Sequence, residues 1–200
     1  MSRLELLDFR RRVAELYHDV RSCDDARDGH ARWVAGREQL YRTHPESAAH
    51  TFVLRHAPYR DDLRFVVPVV ATQPHPPLAI TTGTDGLVHY EHVGQVQLPG
   101  VGALDVWWAA VYGGGIWLPV KDASPTTYGG GRYVLDTVKG ADLGGTVDPA
   151  TGRAQLVVDL NFAYNPSCVY DERWACPLAP PGNVVDAELE VGELLPAQRD

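Results

Sequence analysis

Lysine, methionine and cysteine are scarce in this chain, and long apolar runs are missing. Lysine occurs only as Lys121 and Lys139, methionine only as Met1, and cysteine as Cys23, Cys168 and Cys176. Basic residues do not outnumber acids: 18 Lys+Arg against 26 Asp+Glu leave a formal net charge of −8. That argues against a general nucleic-acid binder, which needs a basic surface. No stretch of 18 apolar residues occurs, so no membrane partner is expected. The first residues, MSRLELLDFRRRVAELYHDV, place Glu5, Asp8 and three successive arginines where a signal peptide needs an apolar run. The expected location is therefore the cytoplasm, where three thiols stay reduced, although Cys168 and Cys176 are near enough in sequence to be neighbours. A P-loop, a dinucleotide glycine motif opening a helix and a G-x-S-x-G elbow are all missing, which argues against nucleotide-driven and α/β-hydrolase chemistry.

What remains is an ordinary soluble composition, with 44% hydrophobic and 22% charged residues over 200 positions. That length suits one domain with an appended segment and needs no metal or disulfide to fold. The charge is unevenly spread. Residues 1–64 hold 12 arginines against 11 acids, whereas residues 65–200 hold 6 basic groups against 15 acids and carry −9.

The grammar changes along the same line. Leu6, Phe9, Val13, Leu16, Tyr17 and Val20 recur at helical spacing, and Ser2 with Glu5 fits a capping box. A second helix starts at Asp24 or Asp25, carries Ala26, Trp33, Val34, Leu40 and Tyr41 on one face, and ends before Pro45. From about residue 50 the runs become strands: Thr51–His56, Leu63–Val70, Leu78–Thr82, Leu87–His92, Gly94–Leu98, Ala103–Tyr112, Ile116–Val120, Arg132–Val138, Ala154–Leu160 and Val184–Val191. Pro68 marks an edge or bulge. Gly83-Thr84-Asp85-Gly86 reads as a hairpin turn whose Asp-Gly pair supplies positive φ, and Pro74–Pro77 as a stiff loop. Fourteen of the 19 glycines lie between residues 83 and 145. The expected fold is mainly β (α+β): an antiparallel barrel or sandwich over residues 50–192, with a helical pair (residues 1–46) packed on it and a frayed tail at 193–200.

Three segments concentrate polar chemistry. The first is VKDASPTTYGGGRY (residues 120–133), the second VDLNFAYNPSCVY (158–170), and the third WACPLAPPGN (174–183). These ordered blocks resemble the uncharacterised family catalogued as domain of unknown function 1684, in a short, actinobacterial-type version. That family shows R-D-x-T-S-G-x-x-T-Y-x-x-G-R, then D-(F/L)-N-x-A-Y-N-P-x-C, then C-P-x-(A/P)-P-P-x-N. The match spans roughly residues 105–192. Lys121 stands where the family commonly has arginine, and Ser124-Pro125 where it has Thr-Ser-Gly. The resemblance implies a β-rich fold and no established activity.

On their own chemistry, the first two segments suggest a ligand pocket at the barrel mouth. Arg132 follows a triple glycine that lets backbone approach closely, and it is a natural bidentate partner for a carboxylate. It reads either as a clamp on an anionic ligand or as half of a buried pair with Asp159 or Asp122. Lys121, Asp122 and Thr126 belong to the same loop. If the strand runs on through Asn161, Asp159 and Asn161 share a face, and Asn165-Pro166 ends it. Asp159 is then a candidate base or orienting carboxylate, Tyr128 a candidate proton donor, and Cys168 the one plausible nucleophile. The candidate set is Asp159, Tyr128 and Cys168 for catalysis, with Lys121, Asp122, Thr126, Arg132, Asn161 and Asn165 for binding. Asn161 and Asn165 also read as loop residues that satisfy backbone groups.

No metal or other cofactor is expected. Cys168 and Cys176 lack zinc-finger spacing. His89, Glu91 and His92 split across a strand's faces, and His44, His50 and His56 straddle a helix end. The expected partner is a small polar or anionic metabolite, with a homo-oligomer left open. Three functions stand: an enzyme, a binding or sensory module, and a buried polar network that specifies the fold.

Overall fold

Asp25 starts the second of two helices as its sequence suggests. In the computed structural model, which describes residues 2–73, 75–83 and 86–199, its carboxylate accepts from the backbone N–H of Arg27 and of Asp28. The helices are α1 (Arg3–Arg21) and α2 (Ala26–Thr43), which stops ahead of Pro45. The Ser2–Glu5 capping box does not form. The Ser2 side chain caps nothing, and its backbone N–H donates to Glu46 Oε1 at 3.1 Å, a carboxylate brought in by the tertiary fold. The stripe of α1 is buried mainly at Tyr17 and Val20, and the Trp33 indole N–H of α2 donates to the Tyr17 hydroxyl at 3.2 Å. Trp33 is wholly buried against Phe162, and such a side chain contributes about 2–3 kcal/mol on leaving water.

Among the described residues there are ten strands: β1 (Phe52–Val53), β2 (Arg64–Pro68), β3 (Leu78–Thr82), β4 (Gly86–Leu98), β5 (Gly102–Ala109), β6 (Gly115–Val120), β7 (Arg132–Asp136), β8 (Gly145–Val147), β9 (Ala154–Asp159) and β10 (Ala197–Gln198). All ladders are antiparallel. β3 to β7 form a five-stranded meander curled into a half-barrel, and β2-β9-β8 form a second sheet. Val96, Leu104, Val106, Leu118, Val134, Val158 and Leu160 are fully buried in one core. The expected α+β, mainly β fold is the one observed. Pro68 sits on the edge strand β2, where its missing N–H costs no ladder bond.

Four details differ from the sequence reading. The runs at Leu87–His92 and Gly94–Leu98 are one strand, β4, with a bulge between His92 and Gly94. Asp159 is the last residue of β9, and Asn161 lies in a 3-10 turn instead of continuing the strand. Val184–Val191 is not a strand. Its first half bonds to the 121–123 backbone, with Val185 N–H donating to Lys121 O and Ala123 N–H to Ala187 O, while the Leu189 and Val191 carbonyls turn to an arginine side chain described below. Residues 193–199 are tied down, since β10 pairs with β1 and Glu193 is wholly buried. Of the expected turn at residues 83–86, Gly86 has the positive φ of +68°, while Thr84 and Asp85, like Pro74 of the expected loop, lie outside the described residues. No helix among the described residues is long and apolar enough to cross a membrane.

Candidate functional site

Arg132, the first residue of β7, points into the protein and is wholly buried. Its Nη2 donates to Asp122 Oδ2 at 2.7 Å and to Leu189 O at 3.2 Å; its Nη1 donates to Glu193 O at 2.9 Å and to Val191 O. Asp122 is occupied from its other side by the Ser124 N–H, the Thr127 hydroxyl and the Leu189 N–H. The guanidinium therefore staples the 189–193 segment to the half-barrel. Burial lowers its proton affinity, and Asp122 pulls it back. Lys121 joins through its backbone, exchanging bonds with Asn183 and Val185. The Thr126 hydroxyl donates to Glu190 Oε1 at 3.0 Å.

Asp159 and Asn161 form a second closed assembly. Asp159 Oδ1 accepts from the Asn161 backbone and side chain at 3.0 and 2.7 Å, and Oδ2 accepts from the Tyr59 hydroxyl at 3.1 Å. Asn161 in turn binds the Arg60 N–H and C=O. Burial raises the Asp159 carboxyl, while the Asn161 and Tyr59 hydrogen bonds and Arg64 oppose that shift. The carboxylate borders a recess of about 480 Å³ together with Arg21 and Arg64.

Asn165 belongs to a third assembly, centred on Glu193. Glu193 accepts from Arg37 at 2.5 and 3.2 Å, from the Asn165 N–H at 2.7 Å and from the Tyr170 hydroxyl at 3.1 Å. Arg37 also lies over the Tyr41 and Tyr164 rings. Burial alone would raise the Glu193 carboxyl, but Arg37 and His56 outweigh it and bring it down to about 2.

Tyr128 and Cys168 do come together. Cys176 and Tyr128 both hydrogen-bond to the Cys168 thiol, which is held below the ordinary thiol value. Cys176 is pushed up by the same contact. Both cysteines are free thiols.

Most of the groups expected to line a pocket between the Lys121–Arg132 loop and the end of β9 bind one another or neighbouring backbone. Besides the recess beside Asp159, a smaller cavity lies under the helices. It measures about 160 Å³ and is walled by Phe9, Val13 and Tyr17 of α1, Tyr41 of α2, Val88, Tyr90, Tyr133 and Tyr164, with Trp174 and Cys176 from the third segment. Lys139 and Asp136, 3.1 Å apart, are among its polar lining, and the Asp136 carboxylate raises the lysine. The Trp174 indole N–H is buried and has no hydrogen-bond partner. None of the nine candidate residues lines this cavity; Asp159 borders only the recess beside Arg64. The useful sequence signal was the aromatic enrichment around Tyr133, Tyr164 and Trp174, which reads equally as core.

Comparison with known proteins matches the model of a family described as a protein of unknown function (DUF1684) over residues 52–194. No curated protein matches. The solution NMR structure of an uncharacterized protein from gene locus rrnAC0354 of Haloarcula marismortui is similar at a TM-score of 0.54 and 22% identity, over 80% of this chain and 89% of that one. That likeness extends to the fold alone.

Proposed function

The chain belongs to the DUF1684 family of unknown function, and from its own geometry we propose that it is a binding module for a small, largely apolar molecule carrying one hydrogen-bond acceptor. The ligand sits in the aromatic-walled cavity between α1, α2 and the half-barrel. The observation that carries this reading is the Trp174 indole N–H: a buried donor without a partner, in the wall of a cavity of about 160 Å³. A buried donor left unsatisfied costs roughly 1–3 kcal/mol, and an acceptor on a ligand removes that cost. Ligand cavities are mostly apolar with a few placed polar groups, and Lys139 with Asp136 adds a second polar anchor. A polar or anionic metabolite clamped by Arg132 is disfavoured, because the Arg132 guanidinium already has four partners.

The test is a thermal-shift and tryptophan-fluorescence screen with aromatic and short aliphatic carboxylates, esters and amides. Binders should lose roughly 5- to 10-fold in affinity with Trp174→Phe, about one hydrogen bond's worth. Hits bound equally by wild type and Trp174→Phe would remove the support for this cavity.

A second reading rests on Cys168. Its lowered thiol pKa supports a reactive group one thiol away from the cavity wall, since Cys176 is a wall residue. Iodoacetamide should label Cys168 at pH 7 faster than Cys23, and Tyr128→Phe should slow it. Equal labelling of the two thiols would end this reading.

A further inference from the structure

Three residues outside both cavities converge on the outer half of the β4–β5 ladder: His92 on β4, Asp105 on β5, and His75 from the connection that leads into β3. The register explains how they meet. His92 lies opposite Trp107, and Gln95 lies opposite Asp105. His92 and Gln95 are three residues apart, so a regular strand would turn them to opposite faces. The bulge between His92 and Gly94 adds one residue and puts both on the face of Asp105 and Trp107. Gly94 is needed there: its φ is +152°, and a Cβ would meet Val70 O at 2.5 Å. Val70 and Gln95 exchange backbone bonds of 2.8 and 2.9 Å, which anchors the segment that carries His75 five residues later.

The distances suit ligands of one ion. His92 Nε2 is 3.2 Å from Asp105 Oδ1, His75 Nε2 is 3.8 Å from Asp105 Oδ2, and the three ligand atoms lie within 4.8 Å of one another. Two donors each about 2.1 Å from one metal stand roughly 3.0–3.5 Å apart at octahedral or tetrahedral angles. The His92 side chain is only 2% exposed, yet its Nε2 has no hydrogen-bond partner. It approaches the carboxylate at co-ligand distance without hydrogen-bond alignment. Asp105 is 1% exposed and, among the described residues, no lysine or arginine pairs with it. A buried carboxylate in that state needs a positive partner, which a bound ion or an imidazolium can supply.

The surroundings hold the carboxylate in place. Gln95 Nε2 donates to Asp105 Oδ1 at 2.8 Å, the kind of outer contact that orients a ligating carboxylate. A Cβ on Gly182 would sit 1.9 Å from Asp105 Oδ2, so only glycine lets that turn lie against it. Asn183 braces β5 against β6, since it accepts from the Trp107 indole at 3.0 Å and donates to Asp105 O at 2.8 Å and to Pro119 O at 2.9 Å. His75 is half-exposed, which leaves an entry path and open positions on the ion.

We propose that His75, His92 and Asp105 bind one divalent first-row transition ion, with its remaining positions open to solvent. Two imidazoles and one carboxylate suit zinc and iron(II) and fit poorly with magnesium or calcium. The site is independent of the helix-covered cavity.

The test uses untagged, chelator-stripped full-length protein titrated with Co2+, Zn2+ and Mg2+. We expect one equivalent of Co2+ with ligand-field absorption, displaced by Zn2+ and unaffected by Mg2+. His75→Ala changes an exposed side chain, so the metal-free protein should unfold at the wild-type temperature. Its Zn2+ affinity should fall about 100-fold or more, a whole ligand exceeding the 10- to 100-fold typical of an outer-shell contact. Gln95→Ala should weaken binding about 10-fold. Zn2+ affinity unchanged in His75→Ala, binding of several weak equivalents, or no binding below about 100 µM would each overturn the site.

Discussion

The Arg132 assembly and the helix-covered cavity both draw on the first polar segment, and their chemistry is opposite. Around Arg132, two Nη atoms reach four acceptors, Nε alone is left without a partner, and Asp122 accepts from three further donors. Around the cavity, a buried indole N–H has no partner and Tyr133, Tyr164 and Tyr90 line open space. A polar cluster so nearly saturated has little left to offer a ligand and acts on the fold. An unsaturated donor beside a void is where binding free energy is still available. Charge density in the sequence is thus a poor guide to a site, because the charges most tightly grouped are also the ones most able to satisfy each other.

The comparison breaks most easily at Arg132. Arg132→Leu leaves Asp122 and three carbonyls buried without their donor, and should cost about 3–5 kcal/mol in urea denaturation. Arg132→Lys should recover little, since an ammonium cannot span the fork that reaches residues 189 to 193. A loss under about 1 kcal/mol, with weakened binding of an anion, would return Arg132 to the ligand-binding class.

Next in size is the acid limb of stability. The Glu193 carboxyl is lowered from an ordinary 4.5 to about 2 in the folded state. A depressed folded value stabilises above pH 4.5 and is lost as pH falls towards 2. Glu193 should supply roughly 3 kcal/mol of that slope. Glu193→Gln should be less stable at pH 7 and should lose roughly that share of the stability change between pH 4.5 and 2. An unchanged slope in the variant would mean that Arg37 is not its effective partner.

The smallest stability effect is expected at the cavity. Trp174→Phe keeps a six-membered aromatic ring and removes the fused pyrrole ring with a donor that bonds nothing, so stability should fall by no more than about 1 kcal/mol. A loss of about 2 kcal/mol or more would show that the indole holds the fold together much as Arg132 does, and would erase the contrast.

Much of the fold was legible because its signals are local. Helical spacing in Leu6–Val20, Asp25 at a helix start and strand runs between glycine turns all report short-range physics. Val184–Val191 shows the limit. Its alternation of apolar and acidic residues is that of a strand, but its Leu189 and Val191 carbonyls are claimed by an arginine more than 50 residues earlier. Asn161 and Asn165 sit in the right segments, and their partners, Arg60 and Leu194, come from elsewhere in the chain. Within the candidate set, the sequence offers the Arg132–Asp122 pair as one alternative, whereas the contact of Tyr128 with Cys168 has no signal in the sequence.

His75, His92 and Asp105 illustrate the same division. Nothing in their spacing marks them as a set, because a bulge at Val93-Gly94 and a crossing at Val70 bring them together. By itself the sequence determined the helical pair, the mainly β class, the family and the segments rich in polar groups, all of which follow from composition, periodicity and local motif. Only the tertiary structure decided which polar groups saturate one another and which are left facing a void. Hydrogen-bond satisfaction is a property of neighbours in space, and those neighbours lie tens of residues apart.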